Sequence, residues 1–378
     1  MGSQDGFSDI PAEKFAFVHV EQDLKDVNFE TKPIGFYRDA MLRLRKNKAS
    51  IVGFYIICMI TFLALFGQSF TPYSFREQNA DRASMPPRVP GIEKLGILDG
   101  SAVLANRRLD GLSDKSQYPE GSVIRVFNER VVRGVTLVDV KVDRYQLAGA
   151  EDEYYWLGTD YLGRDLWARL CRGTRVSLLI ASVAVITNIF IGIVYGAIAG
   201  YYGGKIDMYM MRVCEITNAF PQIVVVTMFI LFFGTGIFSI IMALVIRGWI
   251  PTARLIRAQF LRFKEREYVL AARTLGVSDM SLIFRHILPN SIGPVITRSM
   301  IAIPGAIFSE AFLAFIGLGL KAPEPSIGVL LSQGQKVLLQ YPYQTFFPAL
   351  LISVLMIAFN LFANGLRDAF DPTLRGQE

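Results

Sequence analysis

The sequence predicts an all-α polytopic membrane protein with six transmembrane helices and a small β-rich insert between the first and the second. Three observations lead there. Hydrophobic residues make up 52% of the 378, and a mean hydropathy of +0.36 is too apolar for an average soluble domain. The apolar residues gather into runs long enough to cross a hydrocarbon core of roughly 30 Å. Lys and Arg crowd particular flanks of those runs, which orients them. A net charge of +6 and a pI of about 9.1 would also suit nucleic acid. The basic residues sit beside apolar runs without interleaved aromatics, however, and that reading is set aside.

In chain order, residues 1–48 read as a cytoplasmic tail and an interfacial helix. Residues 1–34 are polar, with seven acidic residues against Lys14, Lys25 and Lys32, and lack both an apolar period and the apolar core of a secretion signal. Residues 36–48, FYRDAMLRLRKNK, alternate bulky apolar with basic groups, as a helix lying on the inner leaflet does. Span one follows at 49–70, and Arg38, Arg43, Arg45, Lys46 and Lys48 before it place the N-terminus inside. Residues 71–158 then form an outer insert whose segments SVIRVF and GVTLVDVKV alternate as two or three strands. Residues 159–375 carry the remaining spans at about 176–201, 208–233, 236–257, 291–318 and 345–366. Phe220-Pro221 kinks the third span, and the 321–335 loop has a re-entrant flavour from its Pro and Gly content. Six spans put both ends and the 258–290 loop in the cytoplasm. Arg254, Arg257, Arg262, Lys264, Arg266, Arg273 and Arg285 crowd that loop and its approach, whereas the 234–238 turn has no charge.

Three groups of residues call for a role. The first lies in EYVLAARTLGVSDMSLIFRHILPN, residues 267–290: a short helix with paired Ala271 and Ala272, a break at Gly276, and a second helix opening at Ser278 or Asp279 and ending at Pro289. It is too charged for lipid, so its apolar stripe of Tyr268, Leu275, Leu282 and Ile283 needs another protein or the rest of this one. The second is LGTDYLGRDLWARLCRGTRVSLL, residues 157–179, read as a rigid outer elbow around Asp160, Arg164 and Asp165. There Thr159 or Asp160 caps a turn and Asp165 faces Arg169 at i,i+4. The third is the set of charges inside spans, Arg247, Arg298 and Glu310. A charge at mid-bilayer costs roughly 2.5–3.5 kcal/mol on insertion scales, so these are expected to face a translocation path or a partner subunit. Arg298 and Glu310 lie about 18 Å apart along one helix, which leaves Arg247 as the candidate partner of Glu310. The plainer alternatives are that Glu310 bonds backbone near Pro304 and that Arg298 snorkels.

No bond-making chemistry is visible. His19 and His286 are the only histidines, and Cys58, Cys171 and Cys214 form no metal or disulfide spacing. Gly204-Lys205 lacks the rest of a phosphate loop, with Ile206 in place of Ser or Thr and Ala199 in place of the first Gly. An intramembrane enzyme or a channel is the rival class, but neither a hydrolase motif nor a repeated filter is present. No catalytic, cofactor or metal residue is therefore assigned.

Residues 267–290 resemble the coupling loop of ABC-importer permeases, whose pattern is Glu-Ala-Ala, three residues, Gly, nine residues, Ile-x-Leu-Pro. Ala271, Ala272, Gly276, Leu288 and Pro289 fall in register, while Leu270 replaces the usual Glu and His286 the usual Ile. Gly158, Thr159, Asp160, Gly163, Arg164 and Asp165 are similar to the Leu-Gly-Thr-Asp-x-x-Gly-Arg-Asp signature of the dipeptide and oligopeptide permeases, and the segments Glu310–Gly319 and Gly365–Pro372 also resemble that family. The resemblance implies the type I importer permease fold and the C-type subunit of the peptide/nickel family. It assigns ATPase coupling to Tyr268, Ala271, Ala272, Arg273, Leu275, Gly276, Leu288 and Pro289. It also implies a second homologous permease, two ATP-binding subunits that use ATP-Mg, a substrate-binding protein outside, and a bacterial or archaeal plasma membrane. Peptide is the implied substrate, with nickel chelates and other small solutes as alternatives on the same machine.

Overall fold

A computed structural model describes residues 36–115, 117–132 and 134–370. The expected tail over 1–34 and the motif residues Asp371 and Pro372 lie outside these. Helix α1 spans Phe36–Lys46 and rests against the last helix of the chain. Helix α2, Lys48–Phe66, starts where it does because Asn47 caps it, its Oδ1 accepting the Ser50 N–H at 3.2 Å. A 3-10 turn over Gly67–Phe70 then closes the first span, close to the 49–70 predicted.

The insert holds a three-stranded antiparallel sheet in the order β1-β3-β2, with β1 at Ser101–Arg108, β2 at Val123–Val132 and β3 at Val135–Asp143. Strand β3 is central because its Val138, Val140 and Val142 all project to one face. Leu104, Leu112, Tyr118 and Val123 cover them. The SVIRVF and GVTLVDVKV segments become β2 and β3. Strand β1 is the third of the two or three strands expected, at a position the sequence does not mark, since SAVLANRR lacks sustained alternation and is an edge strand. Asp143 ends the sheet and caps the single turn α3, Arg144–Leu147.

The helical bundle is organised on α4, Leu166–Tyr202, which at 37 residues is about 55 Å long and overruns a bilayer core. The span predicted at 176–201 thus starts ten residues too late, because Asp165 caps the helix, its Oδ2 accepting the Ala168 N–H at 2.9 Å. The third span, expected as one kinked helix, is two. Helices α5, Gly204–Ala219, and α6, Gln222–Phe233, meet at 81° across Phe220-Pro221, where proline removes a backbone donor. Helices α7, Ile237–Gly248, and α8, Ile250–Phe263, run on as one span. The basic loop follows as α9, Glu267–Thr274, the short α10, Asp279–Ser281, and a π-helical turn over Leu282–Ile287. It opens directly into α11, Leu288–Phe315, so part of the predicted 258–290 loop belongs to its flanking spans. The re-entrant 321–335 loop contains α12, Ile327–Lys336, capped by Ser326 and packed on α4, α11 and the final helix α13, Tyr343–Phe370. Among the described residues, five helices are long and apolar enough to span, six if the bent pair counts as one.

One face of α4 explains its central place. Gly192, Gly196 and Gly200 recur every four residues against α8. A Cβ at Gly192 would lie 2.6 Å from Thr252 Cβ, one at Gly196 would meet the Ala253 carbonyl, and one at Gly200 would lie 2.6 Å from Phe260 Cβ. Small residues at this spacing let two backbones pack at close range, and the two helices behave as one bar.

Candidate functional site

Two of the three candidate groups lie at the two ends of α4. At one end the basic loop folds back on the inner faces of α4 and α8. Val269, Ala272, Leu282, Ile283 and Ile287 bury themselves against Ile256, Phe260 and Tyr201. Gly276 makes the reversal with φ of +81°, a left-handed conformation that a Cβ disfavours. The predicted stripe of Tyr268, Leu275, Leu282 and Ile283 is therefore two surfaces. Leu282 and Ile283 belong to the seat, whereas Tyr268 and Leu275 point away from it with Leu270, Met280 and Phe284, and Leu275 is 84% exposed. Leu288 is half-buried, Ala271 and Pro289 lie on the open side, and Arg273, though exposed, turns back toward Tyr201. The Tyr268 hydroxyl is pushed above its ordinary pKa by partial burial, and Asn290 Nδ2 approaches it at 3.4 Å.

At the other end the elbow is a closed network. Asp160, Arg164, Asp165 and Arg169 are all buried. Asp160 Oδ1 accepts the N–H groups of Leu162 and Arg164 at 2.9 and 3.0 Å, and its Oδ2 accepts Arg164 Nε at 2.8 Å. The same oxygen also accepts Arg169 Nη1, which reaches on to Gln333 of α12 at 3.0 Å. Arg169 thus pairs with Asp160 and not, as its spacing suggested, with Asp165, whose carboxylate is taken up capping α4. Burial pushes the Asp165 carboxyl up to about 6, and the Ala168 and Trp167 N–H groups offset only part of that. Thr159 binds the insert to this end, donating to the Arg82 carbonyl at 2.5 Å and accepting the Met85 N–H at 2.7 Å.

The three charges inside spans do not come together. Arg247 donates through Nη2 to the Asn218 carbonyl and Oδ1 at 3.1 and 3.0 Å, satisfying the end of α5 where the helix breaks. Glu310 is fully buried and accepts from Ser177 of α4 at 2.9 Å, while the same Ser177 oxygen accepts the Ile327 N–H at 3.2 Å. Its partner is thus a hydroxyl of α4 that also holds the start of α12, and the expected Arg247–Glu310 pair is not formed: Arg247 bonds Asn218 and Glu310 bonds Ser177. Arg298 is exposed on α11. A cleft at the α5–α6 bend is lined instead by neutral groups, Gln222, Ile223, Phe308, Ser309, Phe312 and Leu313.

Sequence reasoning missed Tyr201, whose hydroxyl meets the basic loop, and Gln333, which completes the elbow. The four-residue spacing of Gly192, Gly196 and Gly200 was a readable signal for the α4–α8 contact. Nothing local marks Gln333, because its role depends on α12 folding back.

A bundle of five to six apolar spans with a basic reversal loop at one end and a buried polar elbow at the other is that of a multi-span membrane protein. A family model described as "Binding-protein-dependent transport system inner membrane component" matches residues 192–376, and another described as the "N-terminal TM domain of oligopeptide transport permease C" matches residues 35–87. The oligopeptide transport system permease protein OppC of Bacillus subtilis (strain 168) is 34% identical, over 91% of this chain and 92% of its own length. The dipeptide permeases DppC of the same organism and of Lactococcus lactis subsp. cremoris (strain MG1363) are 31% and 36% identical, over 97% and 90% of this chain and 94% and 91% of theirs. The chain belongs to this family of ABC-importer permeases, which are multi-span proteins of the bacterial inner membrane and have a transport rather than an enzymatic role. Among solved structures, the inward-facing MetNI methionine ABC transporter is 17% identical with a TM-score of 0.45, over 54% of this chain and 96% of its own.

Proposed function

We propose that the chain is the C-type permease of a peptide importer, working with a second, homologous permease, two ATP-binding subunits and a substrate-binding protein on the outer side. The basic loop and both termini face the cytoplasm and the insert over 71–158 faces outward, a topology supported by the cationic flanks of span one and of the loop. Tyr268, Ala271, Ala272, Arg273, Leu275, Gly276, Leu288 and Pro289 form the coupling unit. The observation that carries this reading is the division of the loop into a buried seat and an open apolar face. Such a face on a charged segment outside lipid is a binding surface. ATP-Mg is used by the ATP-binding subunits, and this chain holds no cofactor of its own. Closure of those subunits moves the loop, and the loop moves the α4–α8 bar, shifting the spans between inward-open and outward-open arrangements.

Peptide as the substrate is supported by the oligopeptide and dipeptide transport systems to which the OppC and DppC relatives belong. The neutral cleft at the α5–α6 bend suits it, since Gln222 and Ser309 offer uncharged hydrogen-bonding groups beside Phe308 and Phe312. That lining carries no charge and so places no demand on the charge of a peptide's side chains. The test is reconstitution of the whole complex in liposomes, with ATP hydrolysis measured as dipeptides, longer peptides and nickel chelates are added with the binding protein. Peptides are expected to stimulate hydrolysis and to accumulate inside. Stimulation by a chelate alone would move the substrate and leave the permease reading, whereas hydrolysis indifferent to every ligand would overturn the reading.

A further inference from the structure

We propose that Tyr201 is the positioning residue that ties the coupling loop to α4, so that loop displacement reaches the long helix instead of being lost as sliding. This deepens the coupling reading above and rests on it. The loop is seated on α4 and α8 by apolar contact, and such contact is non-directional: it resists separation far better than it resists shear. Among the described residues, the side-chain hydrogen bonds that join residues 264–290 to α4 or α8 all pass through Tyr201 Oη. It donates to the Asp279 carboxylate at 2.5 Å and accepts from Arg273 Nη2 at 3.4 Å. The Arg273 guanidinium also lies over the Tyr201 ring, 5.6 Å from its centroid. Asp279 opens the second arm of the loop and Arg273 closes the first, so one hydroxyl holds both arms across the Gly276 reversal.

The position of Tyr201 gives that bond its reach. Its ring is buried in the last turn of α4, next to Gly200, where α4 and α8 pack too closely to slip past each other. From there α4 runs unbroken to the Asp165 cap at the elbow, and its flank carries Ser177, which meets Glu310 and the start of α12. A hydrogen bond to a carboxylate is directional and about twice as strong as a neutral one, which suits it to carry lateral force.

The experiment compares Tyr201→Phe, Asp279→Asn and the double variant in the complete reconstituted complex, reading peptide taken up per ATP hydrolysed. Phenylalanine keeps the buried ring and removes only the hydroxyl, so assembly is expected to persist. The ratio should fall about tenfold in each single variant, the size expected for one hydrogen bond to a charged acceptor, with no further fall in the double. Should Tyr201→Phe assemble poorly, Asp279→Asn, at an exposed position, yields the same ratio. An unchanged ratio in the single variants, or losses that multiply in the double, would overturn the proposal. Gly276→Val serves as the control: if it uncouples while Tyr201→Phe does not, the tie alone is wrong, and if neither uncouples, the coupling reading itself falls.

Discussion

The two ends of α4 are held by opposite kinds of contact. At the elbow, Asp160, Arg164 and Arg169 are buried and bonded to one another, half-buried Gln333 joins them through Arg169, and Tyr343 and Gln344 of α13 reach the Thr159 carbonyl at 3.2 and 3.1 Å. At the loop, an apolar seat and one tyrosine hydroxyl hold two short helices whose outer face is open. Directional bonds between buried charges tolerate little displacement, while an apolar seat with an uncovered face can shift and accept a partner. The elbow is thus built as an anchor and the loop as the part that is pushed.

Asp160→Ala should break that contrast most severely. It leaves Arg164 and Arg169 buried without their counter-charge, a loss of about 3–5 kcal/mol for a buried ion pair deprived of one partner. Thermal unfolding of the detergent-purified protein and its abundance in membranes should both drop sharply. A melting curve like that of the unmodified chain would mean the elbow is not an anchor. Gly196→Val comes next, because its side chain would run into the Ala253 carbonyl and push α4 off α8. Overpacking of this kind costs about 1–3 kcal/mol, and here it should also reduce uptake per ATP, since the bar is loosened along its length. The smallest effect belongs to Arg247→Gln. Its bonds to Asn218 are exposed, so stability should change by about 0.5 kcal/mol or less, and uptake should stay near normal if the charge is structural. Loss of uptake with stability intact would restore Arg247 to the translocation path.

How much of this was legible in the sequence depended on whether the signal was local. Apolar runs, cationic flanks and the Ala271-Ala272 to Gly276 spacing place the spans and the loop because each depends on neighbours a few residues away. The positive φ at Gly276 and the valine alternation of β3 followed in the same way. Helical spacing failed at Asp165, where the four-residue step to Arg169 looked like a pair. Capping claimed the carboxylate first, and the arginine turned to Asp160. Glu310 and Arg247 failed for a different reason. Their partners, Ser177 and Asn218, are 133 and 29 residues away and reach them only through helix packing that no local pattern encodes.

The central claim is that the loop end meets the ATP-binding subunits and the sheet end does not. It is tested most directly by cross-linking in inverted vesicles and intact cells carrying the whole complex. The three native cysteines are first replaced by alanine, and single cysteines are placed at Met280 on the open loop face and at Ser101 on β1. With a short bifunctional thiol reagent, Met280→Cys should cross-link to an ATP-binding subunit. Ser101→Cys should not, and it should instead react with an impermeant maleimide in intact cells, or in spheroplasts where an outer membrane intervenes. Cross-linking from position 101, or none from position 280 in an assembled complex, would contradict the account.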